Sequence, residues 1–177
     1  MQPLTCPIPS NINPLQTNGF LFGIQKLPEL SFFCQEVNVP ELVLPLAEMA
    51  TLLVNSRVPG DKPLFGDLTV NFLVDESMSN FVAIYDWLVG MGFPETQQQY
   101  ADLIASRTDA LNRDSYAASV SDATLQILNS SNTPIRTIRF IDLFPTSLSS
   151  LTLTSTATET QYLVGVATFG YTYYKFE

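Results

Sequence analysis

The residues able to do chemistry are few, and their spacing decides against most of it. Asp75 and Glu76 stand side by side, as a metal-binding or acid–base pair would. No third ligand accompanies them. Placed just ahead of a helical stripe, they read instead as a helix start, where Asp75 or Ser77 can accept from the first free amides and the acids face the positive helix end. Asp142 lies in a strand beside Phe140 and Leu143, so a turn-capping or interface carboxylate is expected there rather than a catalytic one. Tyr171, Tyr173 and Tyr174 could stack nucleobases. Only Lys175 is basic beside them, so packing on a sheet face is expected. Trp87 reads as core packing against the sheet. Arg136 and Arg139 fall on opposite faces of an ideal strand and form no basic patch.

The chain has no histidine, which removes Ser–His and Cys–His dyads and the commonest zinc ligand. Cys6 and Cys34 show no CxxC spacing and read as two buried thiols. A disulfide between them would need secretion, and residues 1–14, with Pro3, Pro7, Pro9 and Pro14 and no positive leader, do not read as a signal peptide. No run approaches the ~18 apolar residues of a membrane span. The expectation is a soluble, non-enzymatic protein with no catalytic residues, cofactor or metal.

Composition points to what remains. Of 177 residues, 46% are hydrophobic and only 14% charged, with mean hydropathy +0.16. A surface this poor in charge suits a domain covered by neighbours, although a well-packed monomer fits the same figures. The net charge of −9, from 17 acids and 8 bases, argues against a protein that grips nucleic acid. It is compatible with a wall that DNA slides past without sticking.

The elements expected to carry these residues are mainly β. Residues 1–18 read as an extended arm, because their prolines fix φ and remove donors. Phe20, Phe22 and Ile24 alternate along a first strand, and residues 30–37 return as its hairpin partner after Pro28-Glu29. Residues 41–44, between Pro40 and Pro45, form a short edge piece, and the apolar run within residues 47–58 reads as one strand. Leu68, Val70, Phe72 and Val74 alternate most clearly. A helix follows over residues 77–89, with Met78, Phe81, Val82, Tyr85 and Leu88 as its stripe, Trp87 at the stripe edge, and Gly90 and Gly92 ending it. Residues 93–122 read as an insertion: a short helix with Tyr100, Leu103 and Ile104 on its apolar side, then a long loop. Strands resume at residues 123–128, turn through residues 129–132, and return over residues 134–143. A turn at Phe144-Pro145-Thr146 precedes a long final strand over residues 161–176.

Several of these segments occur in an order that resembles the tail tube proteins of contractile-tailed bacteriophages. They are Phe20, Phe22 and Ile24 after Asn18; Phe32-Phe33-Cys34-Gln35; the Pro40 loop; Gly60-Asp61; Phe65 with Asp67-Leu68-Thr69-Val70; Asp75-Glu76; Tyr85-Asp86-Trp87; and Leu143-Phe144-Pro145-Thr146 with the aromatic final strand. The resemblance covers about residues 18–90 and 123–177. It implies one tail-tube domain over residues 1–177, a β-sandwich or barrel-like fold with one flanking α-helix and an inserted loop or short helix. It further implies hexameric rings that stack into a tube, sheath and baseplate proteins as partners, and DNA passing through the lumen without specific binding. The setting would be the tail of a virion assembled in the host cytoplasm, with no membrane. Residues 46–60 would carry ring stacking, with Leu46, Met49, Leu52, Val54, Pro59 and Gly60. Asp61, Phe65 and Asp67 would lie near a subunit junction. The proline arm and the insertion depart from the pattern and leave two roles open: the main tube subunit, or a tube-like initiator, adaptor or terminator. A virion-surface β-sandwich that binds a receptor or carbohydrate is the other class.

Overall fold

The computed structural model describes residues 12–50, 52–92, 96–105, 119–156 and 161–177. Residues 1–11, 93–95 and 106–118 lie outside the described set, and with them Cys6, most of the proline arm and most of the expected insertion loop. The protein is mostly β. In chain order come β1 (Phe20–Ile24), α1 (Leu30–Phe33), β2 (Cys34–Val37), β3 (Leu42–Val43), β4 (Leu46–Ala50), β5 (Asn55–Pro59), β6 (Leu64–Phe65) and β7 (Leu68–Leu73). They are followed by α2 (Ser79–Gly92), α3 (Gln97–Ala105), β8 (Ser121–Leu128), β9 (Pro134–Leu148), β10 (Val164–Gly170) and β11 (Tyr173–Phe176).

Seven strands form the main sheet, in the order β1-β8-β9-β10-β7-β2, with β11 also paired to β9. All these pairings are antiparallel. Strand β7 shows why the sequence folds this way. Leu68, Val70 and Phe72 are fully buried while Thr69, Asn71 and Leu73 are partly covered, the period of two that a pleated strand imposes. Each such apolar side chain contributes about 1.5–3 kcal/mol by leaving water. They share one core with Phe22 and Ile24 of β1, Leu125 of β8, Ile138 and Phe140 of β9, and Phe169 of β10.

Strand β9 belongs to both halves of this sheet, and its alternation breaks where it passes between them. Ile138 and Phe140 are buried, then Leu143 and Pro145, so the inward phase changes between them. Asp142 sits at the change with φ 56°, a left-handed conformation that Asp tolerates better than most residues. The register against β8 moves from Ala123–Phe140 to Ser121–Leu143, so two residues of β9 oppose one of β8, which is a β-bulge. The Thr172 hydroxyl donates to the Asp142 carboxylate at 3.2 Å. Asp142 is therefore a bulge residue on the sheet.

The helix α2 packs over the far half of β9. Its buried residues are Asn80, Ile84, Trp87 and Gly90, whereas Val82 and Tyr85 are exposed, so the face differs from the expected stripe. Two anchors set the rotation. The Asn80 amide donates to the Leu73 carbonyl at 2.7 Å, and the Trp87 indole donates to the Ser119 carbonyl at 2.9 Å while its ring meets Phe169. Trp87 thus packs in the core as expected. Gly90 does not end the helix; it is buried against Leu103 of α3 and α2 runs on to Gly92.

Four other expectations are corrected. Residues 30–37 are not a hairpin partner of β1: Leu30–Phe33 is helical, β1 pairs with β8 and β2 pairs with β7. The Ser31 hydroxyl donates back to the Pro28 carbonyl at 2.8 Å, helping the chain turn there. Residues 47–58 are not one strand but the β4–β5 hairpin. Pro145 lies inside β9 rather than in a turn. It is tolerated because β8 has already ended opposite Leu143, so no ladder on that side needs its missing N–H. The final strand is interrupted at Tyr171–Thr172 into β10 and β11.

Candidate assembly surface

Residues 42–65 leave the sheet as one long two-stranded arm. At its base β3 pairs with β6, Leu42 opposite Phe65 and Val43 opposite Leu64. Beyond, β4 pairs with β5 from Leu46–Pro59 to Ala50–Asn55. The Gly60 amide donates to the Pro45 carbonyl at 2.7 Å and joins the two stretches. Gly60 is required by this approach: a Cβ there would stand 2.6 Å from the Pro45 carbonyl oxygen.

Among the described residues, little of the body covers this arm. All of β4 is exposed, and at the tip Leu52 and Leu53 are 99% and 94% exposed. Leu42, Val43, Leu44, Leu46, Met49, Val54 and Leu64 are exposed as well. One face of the β4–β5 pair is formed by Ala47, Met49, Ser56 and Val58, and the other by Leu46, Glu48, Ala50, Asn55, Arg57 and Pro59. A lone two-stranded hairpin is marginal in water, and a contiguous apolar surface of this kind marks an interaction site.

The base of the arm, by contrast, is fixed to the body by aromatics. The Phe65 ring lies 5.3 Å from Tyr174 and 6.2 Å from Tyr171, and both tyrosines pack on Phe140. The Tyr171 hydroxyl donates to the Gly66 carbonyl at 2.8 Å, and the Tyr174 hydroxyl donates to the Pro40 carbonyl at 3.3 Å. Pro40 precedes one leg of the arm and Gly66 follows the other. Burial, with smaller effects from Tyr174 and Asp67, pushes the Tyr171 phenol up to about 12. It therefore stays a donor across the neutral range.

Among the residues singled out by the resemblance, Leu46 and Met49 lie on β4, Leu52 and Val54 at the tip, and Pro59 and Gly60 where β5 ends. Asp61 is exposed in the bend that follows. Phe65 and Asp67 sit at the root, Phe65 in the aromatic cluster and the Asp67 carbonyl accepting from the Asn38 amide at 3.1 Å. Sequence reasoning did not single out Leu53, Val58 or Leu64, and it gave Tyr171 and Tyr174 no role beyond sheet packing. The dense aromatic spacing near the end of the chain was the signal that could have found the two tyrosines.

The carboxylates have structural partners. Asp75 accepts from the Ser77 and Ser79 hydroxyls and the Asn80 backbone N–H, and the two serine hydrogen bonds chiefly hold its carboxyl below the usual range. It caps α2 as expected. Asp122 pairs with Arg139 at 2.7 Å. Burial pushes the Cys34 thiol up to about 11, which makes it a poor nucleophile. Among the described residues no three His, Cys, Asp or Glu side chains gather as a metal site, and no helix is long and apolar enough to cross a membrane.

Similar proteins place this architecture. The tail tube terminator protein of Enterobacteria phage T4 is 27% identical over 172 residues, covering 93% of this chain and 90% of that protein. The anti-feeding prophage cap, a tube terminating cap, superposes with TM-score 0.64 at 16% identity over 100% of this chain and 99% of that one. A chain of the sheath/tube terminator of the PVC extracellular contractile injection system superposes with TM-score 0.57 at 17% identity, over 93% and 97% of the two chains. The phage tail tube protein family matches residues 5–177, and the chain belongs to that family.

Proposed function

We propose that this protein is a structural, non-enzymatic subunit of a contractile phage tail, forming a hexameric ring at the end of the tail tube. The observation that carries this reading is the arm: residues 42–65 hold apolar side chains that no described residue of the chain covers, and a neighbouring subunit would cover them. Leu46, Met49, Leu52, Val54, Pro59 and Gly60 then form the stacking surface, with Asp61, Phe65 and Asp67 near its junction with the body. The likeness to a tail tube terminator supports the end of the tube over its repeating middle. Tube, sheath and baseplate proteins are the partners, the virion tail is the location, and DNA passes the acidic ring without specific binding.

The two placements differ in what purified protein does. A terminator forms single rings that cap added tube and stop its growth, whereas a main tube subunit stacks into long tubes by itself. Negative-stain microscopy and mass photometry separate these outcomes. Monomers at all concentrations, with no attachment to added tube, would rule out both.

A further inference from the structure

We propose that Tyr171 and Tyr174 are positioning residues for assembly, their two hydroxyls fixing the angle at which the arm leaves the body. The inference rests on the arm being the assembling surface. The arm has two legs and each is held once: Gly66 follows β6 and accepts from Tyr171, while Pro40 precedes β3 and accepts from Tyr174. Between the two clamped carbonyls lies one further rung, the Gly66 amide donating to the Glu41 carbonyl at 3.0 Å. Both phenols come from the interruption between β10 and β11 and from β11 itself, and β11 is zipped to β9 down to Glu177, whose amide and carbonyl both pair with Thr137. The clamp is therefore built on the rigid sheet.

Ring packing alone would not do this. Phe65, Phe140, Tyr171 and Tyr174 meet edge-on or tilted at 5.1–6.2 Å, contacts that stabilise the cluster but tolerate rocking. A directed hydrogen bond on each leg removes the rocking. A preorganised arm loses less freedom when it docks, so the gain appears in association rather than in folding.

The test is the Tyr171→Phe/Tyr174→Phe double variant, which keeps all four rings and removes only the two donors, with each single variant alongside. Hydrogen exchange at the Gly66 amide and along the β3–β6 rungs should speed up by roughly ten-fold or more, as expected for losing two such bonds. Protection along the β7–β10 ladder should stay as in the parent, which certifies the fold. Ring formation or capping of added tube should need several-fold more protein. Unchanged exchange at the root overturns the clamp whatever assembly does. Faster root exchange with unchanged assembly overturns the positioning role and leaves the arm's part in assembly standing. A parent protein that neither forms rings nor caps tube overturns the inference together with the function on which it rests.

Discussion

The body and the arm are made from the same kinds of residues with opposite outcomes. In β7, Leu68, Val70 and Phe72 vanish from solvent because β10 and β2 flank the strand and the core closes over it. In β4 and β5, Leu46 lies on one face and Met49 and Val58 on the other, but the hairpin is a two-stranded sheet of its own whose residues stay almost all exposed. The difference is not in strand propensity. It lies in whether the described part of the same chain supplies a covering surface. An apolar strand is therefore a statement about burial somewhere, not about burial here.

That contrast can be broken most severely from the body side. Replacing Phe72 by Ala should cost about 3–5 kcal/mol through the cavity it leaves, seen as a large fall in the chemical-denaturation midpoint and, with it, lost assembly. Gly165→Ala should cost about 1–3 kcal/mol, because its Cβ would stand 2.7 Å from the buried Phe72 ring. The arm should behave the other way. Leu52→Asp with Leu53→Asp should change unfolding free energy by no more than about 0.5 kcal/mol, yet abolish ring formation in microscopy. Equal loss of stability from the tip and body substitutions would erase the distinction between the two regions.

The smallest expected effect concerns the junction. The Tyr171 phenol is raised in the folded chain to about 12 from its ordinary 10, so the folded state holds its proton where the unfolded state has released it. Its contribution is complete below about pH 10 and fades as pH rises towards 12. Denaturation curves through that window should show a downward slope that Tyr171→Phe flattens. A slope unaltered by that substitution would assign the alkaline loss to other groups.

Much of the body was legible because local pattern and final environment agree there. The period of two in β7, the Asp75 cap before α2 and the Asn129-to-Asn132 turn are set by neighbours in sequence, and each stands where the pattern places it. Pairing was not legible in the same way. Phe20–Ile24 takes its partner from β8, far along the chain, rather than from the segment just after it, since a strand's own residues do not say which edge it will meet. Residues 47–58 read as one strand because Leu52, Leu53 and Val54 are apolar, and apolar residues seldom turn in water; here they do. The low surface charge suggested an apolar exposed surface without saying where, while the two phenols at its root were invisible until the fold brought Tyr171 and Tyr174 to Gly66 and Pro40. The resemblance named the family, and the terminator likeness favours the alternative placement at a tube end over the main subunit.

The bulge at Asp142 carries one more consequence. Deleting Asp142 would restore plain alternation and keep Leu143 and Pro145 inward, but because the bulge already takes up one extra residue of β9, inserting another beside it would turn the remainder of the strand inside out. Leu143 and Pro145 would then point to water, and Phe144 and Thr146 into the core. A one-residue insertion beside Asp142 should thus be more damaging than removing several residues from the exposed bend at residues 61–63, although the second shapes the more conspicuous loop.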